Sequence, residues 1–482
     1  MNNPMSFISL SFVVFFLVLV ILYRAAIQFG KHAVLAQKII LLAASLVFYA
    51  WADLRFVPFL AYAIAVSYLG GLCMEIRRHR RFLVFLFASI CLAPLLFFKY
   101  APSEFHPNII FPLGISFFTF QSVGYIADVY KQKISAERNP LDVALFVCFF
   151  PTVTSGPIQR AGSLLPQFNK VHDFDYGDAT DGLKLFAWGM FKKLVIADRI
   201  ALYVNYVYGN VAEQYGLALL LATLLYSFQI YCDFSGYTDM AAGAARYLGF
   251  DIGKNFDHPY MSKSVGEFWR RWHISLSSWL RDYVYIPLGG SRVALPRVYI
   301  NLIATFLASG IWHGSTWNFV IWGLLHGFFL CEERMTKEIR ERMKIPSWLN
   351  VVVTFFLVTF AWIFFRAHNL GEAAAVIKKI AVAPTEIVPF ISLAKSEGLK
   401  EALHKMLSMV TESGGATKGM AQTICLLASF VVASLATLKK PGLDLVRGQK
   451  TVVRWTLYLA LAFATMFFMS SSYSGNFIYQ SF

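Results

Sequence analysis

Charge is what this chain has least of. Of its 482 residues only 15% are Asp, Glu, Lys or Arg, against roughly 25% in soluble domains, while 57% are hydrophobic. That balance excludes an ordinary soluble protein. Acid is scarcer than base, 28 residues against 43, leaving a net charge of +15. The Lys and Arg side chains sit in short loops beside apolar runs and no nucleic-acid motif accompanies them. The excess therefore reads as membrane topology and contact with anionic lipid, with no nucleic-acid partner. The six cysteines, Cys73, Cys91, Cys148, Cys232, Cys331 and Cys425, are scattered singly, without a CxxC pair or a zinc spacing. They read as small buried hydrophobes, not as disulfides, metal ligands or thioester carriers. Also missing are an internal repeat, a low-complexity linker, a His-x4-Asp word, an HExxH pair, a G-x-S-x-G elbow and a phosphate-cradling glycine loop. No Lys or Arg occurs in the first 23 residues, and the run Phe7–Tyr23 is long, so a cleaved signal peptide is not expected there.

What is present is a series of apolar runs. Clear spans lie near 7–23, 38–51, 56–73, 82–98, 217–231, 349–365, 420–438 and 454–469. Others near 112–127, 141–156 and 183–207 are broken by polar residues, for about a dozen membrane segments in all. Arg77, Arg78, Arg80 and Arg81 share one loop, which places that loop in the cytoplasm and the N-terminus outside, with Arg24, Lys31 and Lys38 inside. From the other end, Glu332–Lys344 and the cluster Lys439, Lys440, Arg447, Lys450 and Arg454 read as cytoplasmic. The C-terminus and a long loop, about 366–418, then lie outside, as does the Pro-punctuated stretch KYAPSEFHPN that begins at Lys99. A single membrane-embedded domain, 1–482, is expected.

Between Arg297 and Glu332 lie 34 residues without one charged side chain. As one helix they would rise about 51 Å, against roughly 30 Å of hydrocarbon. The stretch must break, and Ser309-Gly310-Ile311-Trp312-His313-Gly314-Ser315 is the place, with glycine to either side of the histidine. Irregular backbone at that depth requires surrounding protein or a water-filled cavity, so His313 should line one. A histidine inside a membrane is either functional or held by a neighbouring carbonyl, and the residues alone leave both open. His326, thirteen residues on, takes the structural reading.

Two further regions carry polar groups among apolar ones. In Lys263–Gly290, Trp269, Trp272, Leu276, Trp279, Leu280 and Tyr283 follow helical spacing, His273 joins that stripe, and Arg270, Arg271 and Arg281 sit mostly opposite. This reads as an interfacial or re-entrant helix whose histidine is either incidental or a partner of His313. In Gln229–Asp239, Asp233, Asp239, Ser235 and Tyr237 could line a polar path or pair with nearby arginines as structure.

These same words resemble a known family, the membrane-bound O-acyltransferases, and within it the integral-membrane subunits of bacterial alginate and exopolysaccharide O-acetyltransferases. The likeness rests on PLGISFFTFQSVGYIADVY (Pro112–Tyr130), FFPTVTSGPIQR (Phe149–Arg160), the run from Asp233 to Gly290, GIWHGSTWNFVIWGLLHG (Gly310–Gly327) and the closing GNFIYQSF, and so covers most of residues 112–327. The resemblance implies an all-α polytopic fold, a ring of transmembrane and re-entrant helices around a central tunnel. It implies that His313 matches the family's near-universal histidine and His273 a second one. Trp312, Asn318, Asp233, Ser235 and Tyr237 are then the expected substrate-binding set.

It further implies acetyl-CoA as donor without a metal and an exported polysaccharide, alginate or similar, as acceptor. An extracytoplasmic acetyltransferase or export protein would be the partner, and a bacterial cytoplasmic membrane the location. The chemistry suits a histidine, because a thioester is already activated and the enzyme needs mainly a base for the acceptor hydroxyl and polarisation of the carbonyl. D-alanyl or other acyl transfer to a cell-wall polymer, a precursor transporter and a structural assembly subunit remain as alternatives.

Overall fold

The computed structural model describes residues 5–76, 79–100, 111–412, 420–438, 440, 442–468 and 477. Arg77, Arg78, Lys439, most of KYAPSEFHPN and all of the closing GNFIYQSF except Phe477 lie outside them. Among the described residues the chain is helical throughout and forms no strand.

The N-terminal third is a set of apolar helices, α1 (Leu10–Ala25), α2 (Ala33–Ala52), α3 (Val57–Cys73), α4 (Arg80–Tyr100) and α5 (Ile115–Tyr130). Each starts where a local cap or a break allows. Ser9 accepts from Phe12 N at α1, and Gly30 at φ 55, ψ −117 separates α1 from α2. α4 and α5 pack side by side in opposite directions, because Arg80 at the start of α4 donates to the Val129 and Tyr130 carbonyls at the end of α5.

The middle third is more broken. α6 (Pro140–Cys148) ends in the irregular, wholly buried run from Phe149 to Gln159, and α7 (Ala161–Phe168) follows. α8 (Tyr176–Met190) continues through a π turn, Phe191–Ala197, into α9 (Asp198–Gly209). α8, the π turn and α9 pack against α10 (Gly216–Tyr247), which is 32 residues long and largely buried.

Next come two short helices, α11 (Val265–Arg271) and α12 (Ile274–Leu280), then the hairpin of α13 (Leu295–His313) and α14 (Trp317–Met335). The remainder is α15 (Lys337–Met343), α16 (Ser347–Arg366), α17 (Leu370–Ser396), α18 (Leu399–Glu412), α19 (Met420–Ala436), α20 (Gly442–Arg447) and α21 (Thr451–Phe468).

Among the described residues six helical stretches are long and apolar enough to cross a membrane, the first of them, Leu10–Ala52, holding both α1 and α2, with two shorter apolar helices near the C-terminus. The segments near 141–156 and 183–207 are the broken ones, one ending at Cys148 and the other interrupted by the π turn. Two sequence expectations change. The segment 366–418 is helical over its described residues. Glu386 of α17 accepts from Gly216 N at 2.8 Å and Leu217 N at 3.0 Å, capping α10, while Lys379 donates to the Ala212 and Gln214 carbonyls. Those bonds satisfy backbone groups that a helix start leaves open, so this segment is built into the bundle.

The second change is at 263–290, where the helical stripe is interrupted. Ser264 caps α11 by accepting from Glu267 N, and the helix stops at Arg271. His273 then takes a left-handed conformation, φ 42, ψ 55, before α12 begins. Side-chain periodicity runs straight through this kink, so the sequence carries no sign of it.

Candidate active site

α13 ends at His313, Gly314 is extended, and α14 begins at Trp317, so the break falls within the expected word. The two helices touch because of a glycine on each. A Cβ on Gly310 would lie 2.3 Å from the Phe319 carbonyl oxygen, and one on Gly323 would lie 2.3 Å from that of Phe306. Contact this close leaves no room for any side chain there and fixes the hairpin that carries His313.

His313 is 2% exposed. Its Nδ1 donates to the Ser309 carbonyl at 2.7 Å, which orients the ring and assigns the neutral tautomer with the lone pair on Nε2. The rings of Trp312, Trp322 and Phe365 lie 4.7, 4.7 and 5.4 Å from it. His273, fully buried, reaches the same place from the kink between α11 and α12. It meets Phe234 of α10 at 4.7 Å, Phe117 of α5 at 6.4 Å and Trp312 at 6.3 Å. The two histidines are near enough to interact electrostatically. A non-glycine residue held in the left-handed region carries strain that its surroundings must offset, a pattern found at functional sites.

The segment carrying His273 is anchored at both ends. Gly266 N donates to Glu333 at the end of α14, and Lys131 just past α5 donates to the Asp282 carbonyl at 2.7 Å. Between these two anchors the chain reaches Trp312.

Two residues the sequence reading missed close the other end. Lys99, at the end of α4, donates to the Trp312 carbonyl and sets its ammonium 5.7 Å from the Trp312 ring centre. Tyr100 donates to the Ile311 carbonyl at 2.5 Å and lies 3.3 Å from that of Gly314. Together they hold the last turn of α13, whose final carbonyls have no partner within the helix. The sequence reading placed Lys99 and Tyr100 at the start of the external stretch KYAPSEFHPN, whereas both belong to the last turn of α4.

The other expected residues are placed as follows. Trp312 lies between the two histidines and stacks on Phe120 at 5.3 Å. Asn318 donates to the Ala367 carbonyl at 2.6 Å, tying α14 to the end of α16. Asp233 pairs with Lys193 at 2.6 Å, Ser235 accepts from Lys192 at 3.0 Å, and Tyr237 bonds Thr154. Asp239 pairs with Lys192 at 2.7 Å. Both acids thus meet lysines of the π turn where the sequence reading looked for arginines. His326 accepts from Trp269 Nε1 at 3.2 Å. Among the described residues no group of His, Cys, Asp and Glu is placed to hold a metal ion.

The sequence pattern of the MBOAT, membrane-bound O-acyltransferase, family matches residues 59–370. The chain is 38% identical to a peptidoglycan O-acetyltransferase of Helicobacter pylori over 390 residues, covering 71% of this chain and 73% of that one. It is 40% identical to a probable alginate O-acetylase AlgI of Azotobacter vinelandii over 359 residues, covering 70% and 71%. A teichoic acid D-alanyltransferase of Bacillus subtilis is 32% identical over 55% of this chain and 71% of its own. With six apolar helices of spanning length and a family match over well over half its length, the chain belongs to the membrane-bound O-acyltransferases and is a multi-pass membrane enzyme that transfers acyl groups.

Proposed function

We propose that this enzyme moves an acetyl group from cytoplasmic acetyl-CoA across a bacterial inner membrane toward hydroxyls of an exported polysaccharide, alginate or a similar exopolysaccharide. The observation that carries the proposal is the bond from His313 Nδ1 to the Ser309 carbonyl, which leaves Nε2 as the basic nitrogen at the break between two helices. In this reading Nε2 takes the proton of the acceptor hydroxyl as its oxygen attacks the thioester carbonyl. The C–S bond then breaks, and the departing thiolate receives the proton. His273 steadies the charge that develops on the carbonyl oxygen or positions the donor. Trp312 lies between them as a wall of the site. Asn318, Asp233, Ser235 and Tyr237 act at one remove, through the helix packing they fasten.

An extracytoplasmic acetyltransferase or export protein completes delivery to the polymer, since alginate and peptidoglycan O-acetylation are what the named relatives do. The test is a membrane preparation given labelled acetyl-CoA. The native enzyme should release acetate or label polymer, and His313→Ala at native abundance should do neither. Full turnover by that variant sinks the assignment. The Bacillus subtilis relative favours one second reading, D-alanyl transfer. Turnover of a D-alanyl donor with none of acetyl-CoA would select it.

A further inference from the structure

α11 runs alongside α14, and two hydrogen bonds tie the pair. Gly266 N donates to Glu333 at 2.8 Å, near the charged end of α14. Trp269 Nε1 donates to His326 Nδ1 at 3.2 Å, and both side chains are buried. The second tie is the one nearer the site, since His326 stands about 10 Å of helix closer to His313 than Glu333 does. Each partner belongs to a segment that carries a site histidine. Trp269 is on the helix that leads into His273, and His326 is on the helix that follows His313.

The bond decides the state of the His326 ring. An indole N–H only donates, so Nδ1 must offer its lone pair and the hydrogen is assigned to Nε2. A protonated ring would set two N–H groups against each other. Among the described residues Nε2 meets no hydrogen-bond partner, so one bond orients the imidazole. Around that bond the contacts are aromatic. Trp322 lies 4.9 Å from His326, and Trp269 lies 4.9 Å from Phe306 and 5.8 Å from Trp322. Stacked rings hold two helices together but tolerate sliding, whereas a hydrogen bond is lost within a few tenths of an ångström. Such bonds between membrane helices contribute little to stability on average. What this one supplies is register.

Register here reaches the chemistry. Trp272 N donates to the Phe268 carbonyl at 2.7 Å, so the residue before His273 still belongs to the last turn of α11. On the far side of the kink, Asn255 accepts from Ile274 N at 2.9 Å through its carbonyl and from Ser275 N at 3.1 Å through its side chain. His273 is thus bracketed, and a slide of α11 along α14 would carry it relative to His313.

We infer that His326 is a positioning residue: by accepting from Trp269 it fixes α11 against α14 and so sets His273 against His313. This rests on the reading of His273 as the partner of His313 in acyl transfer.

The experiment measures turnover of labelled acetyl-CoA by the full chain in membranes, per folded molecule. His326→Phe keeps a ring of similar size and loses the acceptor. It should lower kcat about tenfold, with KM for the donor nearly unchanged and melting temperature near native. Trp269→Phe should match it, and the double variant should be no slower than either single one, since all three lose the same bond. His326→Asn, whose side-chain oxygen can accept close to where Nδ1 does, should recover most of the rate with the native pH dependence.

Native kcat in His326→Phe overturns the inference, as does a loss confined to folded yield. Losses that multiply in the double variant overturn it by showing two independent roles. His326→Asn no faster than His326→Phe overturns it by showing that the ring does more than accept from Trp269. His273→Ala, measured alongside, keeps the underlying reading separate. Native turnover there strikes the partnership of the histidines and the inference with it, whereas a defect there beside a native His326→Phe strikes the inference alone.

Discussion

Two buried polar clusters in this bundle follow opposite plans. Around Lys193 each charge meets its opposite, Asp233 at 2.6 Å and Asp198 at 2.9 Å, with Lys192 beside them against Asp239 at 2.7 Å. Around His313 no such pairing is made. A carbonyl oxygen and three aromatic rings surround it, and the nearby Lys99 gives its ammonium to a carbonyl and forms no ion pair among the described residues. Closed ion pairs fasten helices, here α10 to the π turn, and their groups are occupied. A neutral, oriented imidazole at a break in a membrane helix has its basic nitrogen positioned for chemistry. Burial alone would have ranked the two clusters equally; the way charge is compensated separates them.

The sharpest way to break this contrast is at His313. His313→Ala should cut turnover by about 10²- to 10⁴-fold, the range of a lost general base, with abundance and thermal stability in detergent near native. Asp233→Ala should do the reverse. Removing one member of a buried ion pair costs about 3–5 kcal/mol, so folded yield and melting temperature should fall while activity per folded molecule holds. Replacing all three groups, as Lys193→Met with Asp198→Asn and Asp233→Asn, should recover part of the stability, because no buried charge is then left alone. If Asp233→Ala folds normally but turns over slowly, the closed cluster belongs to the chemistry and the contrast fails.

The same contrast explains what could be read in advance. A charge-free stretch too long for a bilayer located the break at His313 without any tertiary information, and family words matched His273. Asp233 was visible as an acid in an apolar run, but its partner Lys193 lies forty positions away and is brought there by a π turn. Pattern could not distinguish an acid lining a path from one locked in a pair. The kink at His273 was hidden for a different reason, since left-handed backbone at a non-glycine residue leaves no mark on hydrophobic spacing. In 366–418 mixed charge reads as a loop, whereas the Glu386 and Lys379 bonds at the start of α10 hold a helix there.

The smallest expected effect tests the His313 cluster from its edge. Lys99 touches Trp312 through the backbone carbonyl and the ring, so it acts on His313 only by fixing the last turn of α13. A shift of that turn misplaces the imidazole against the thioester, and misplacement of this kind lowers the rate more than the affinity. Lys99→Met should therefore lower kcat by about tenfold with KM for the donor nearly unchanged, and Tyr100→Phe, which leaves Lys99 in place, should do less. Lys99→Arg keeps a cation able to donate to the same carbonyl and should retain most of the rate. Loss of stability without change in kcat per folded molecule would make Lys99 a helix cap alone. The polar groups around His313 would then be as purely structural as those around Lys193, and the distinction between the clusters would rest on the imidazole alone.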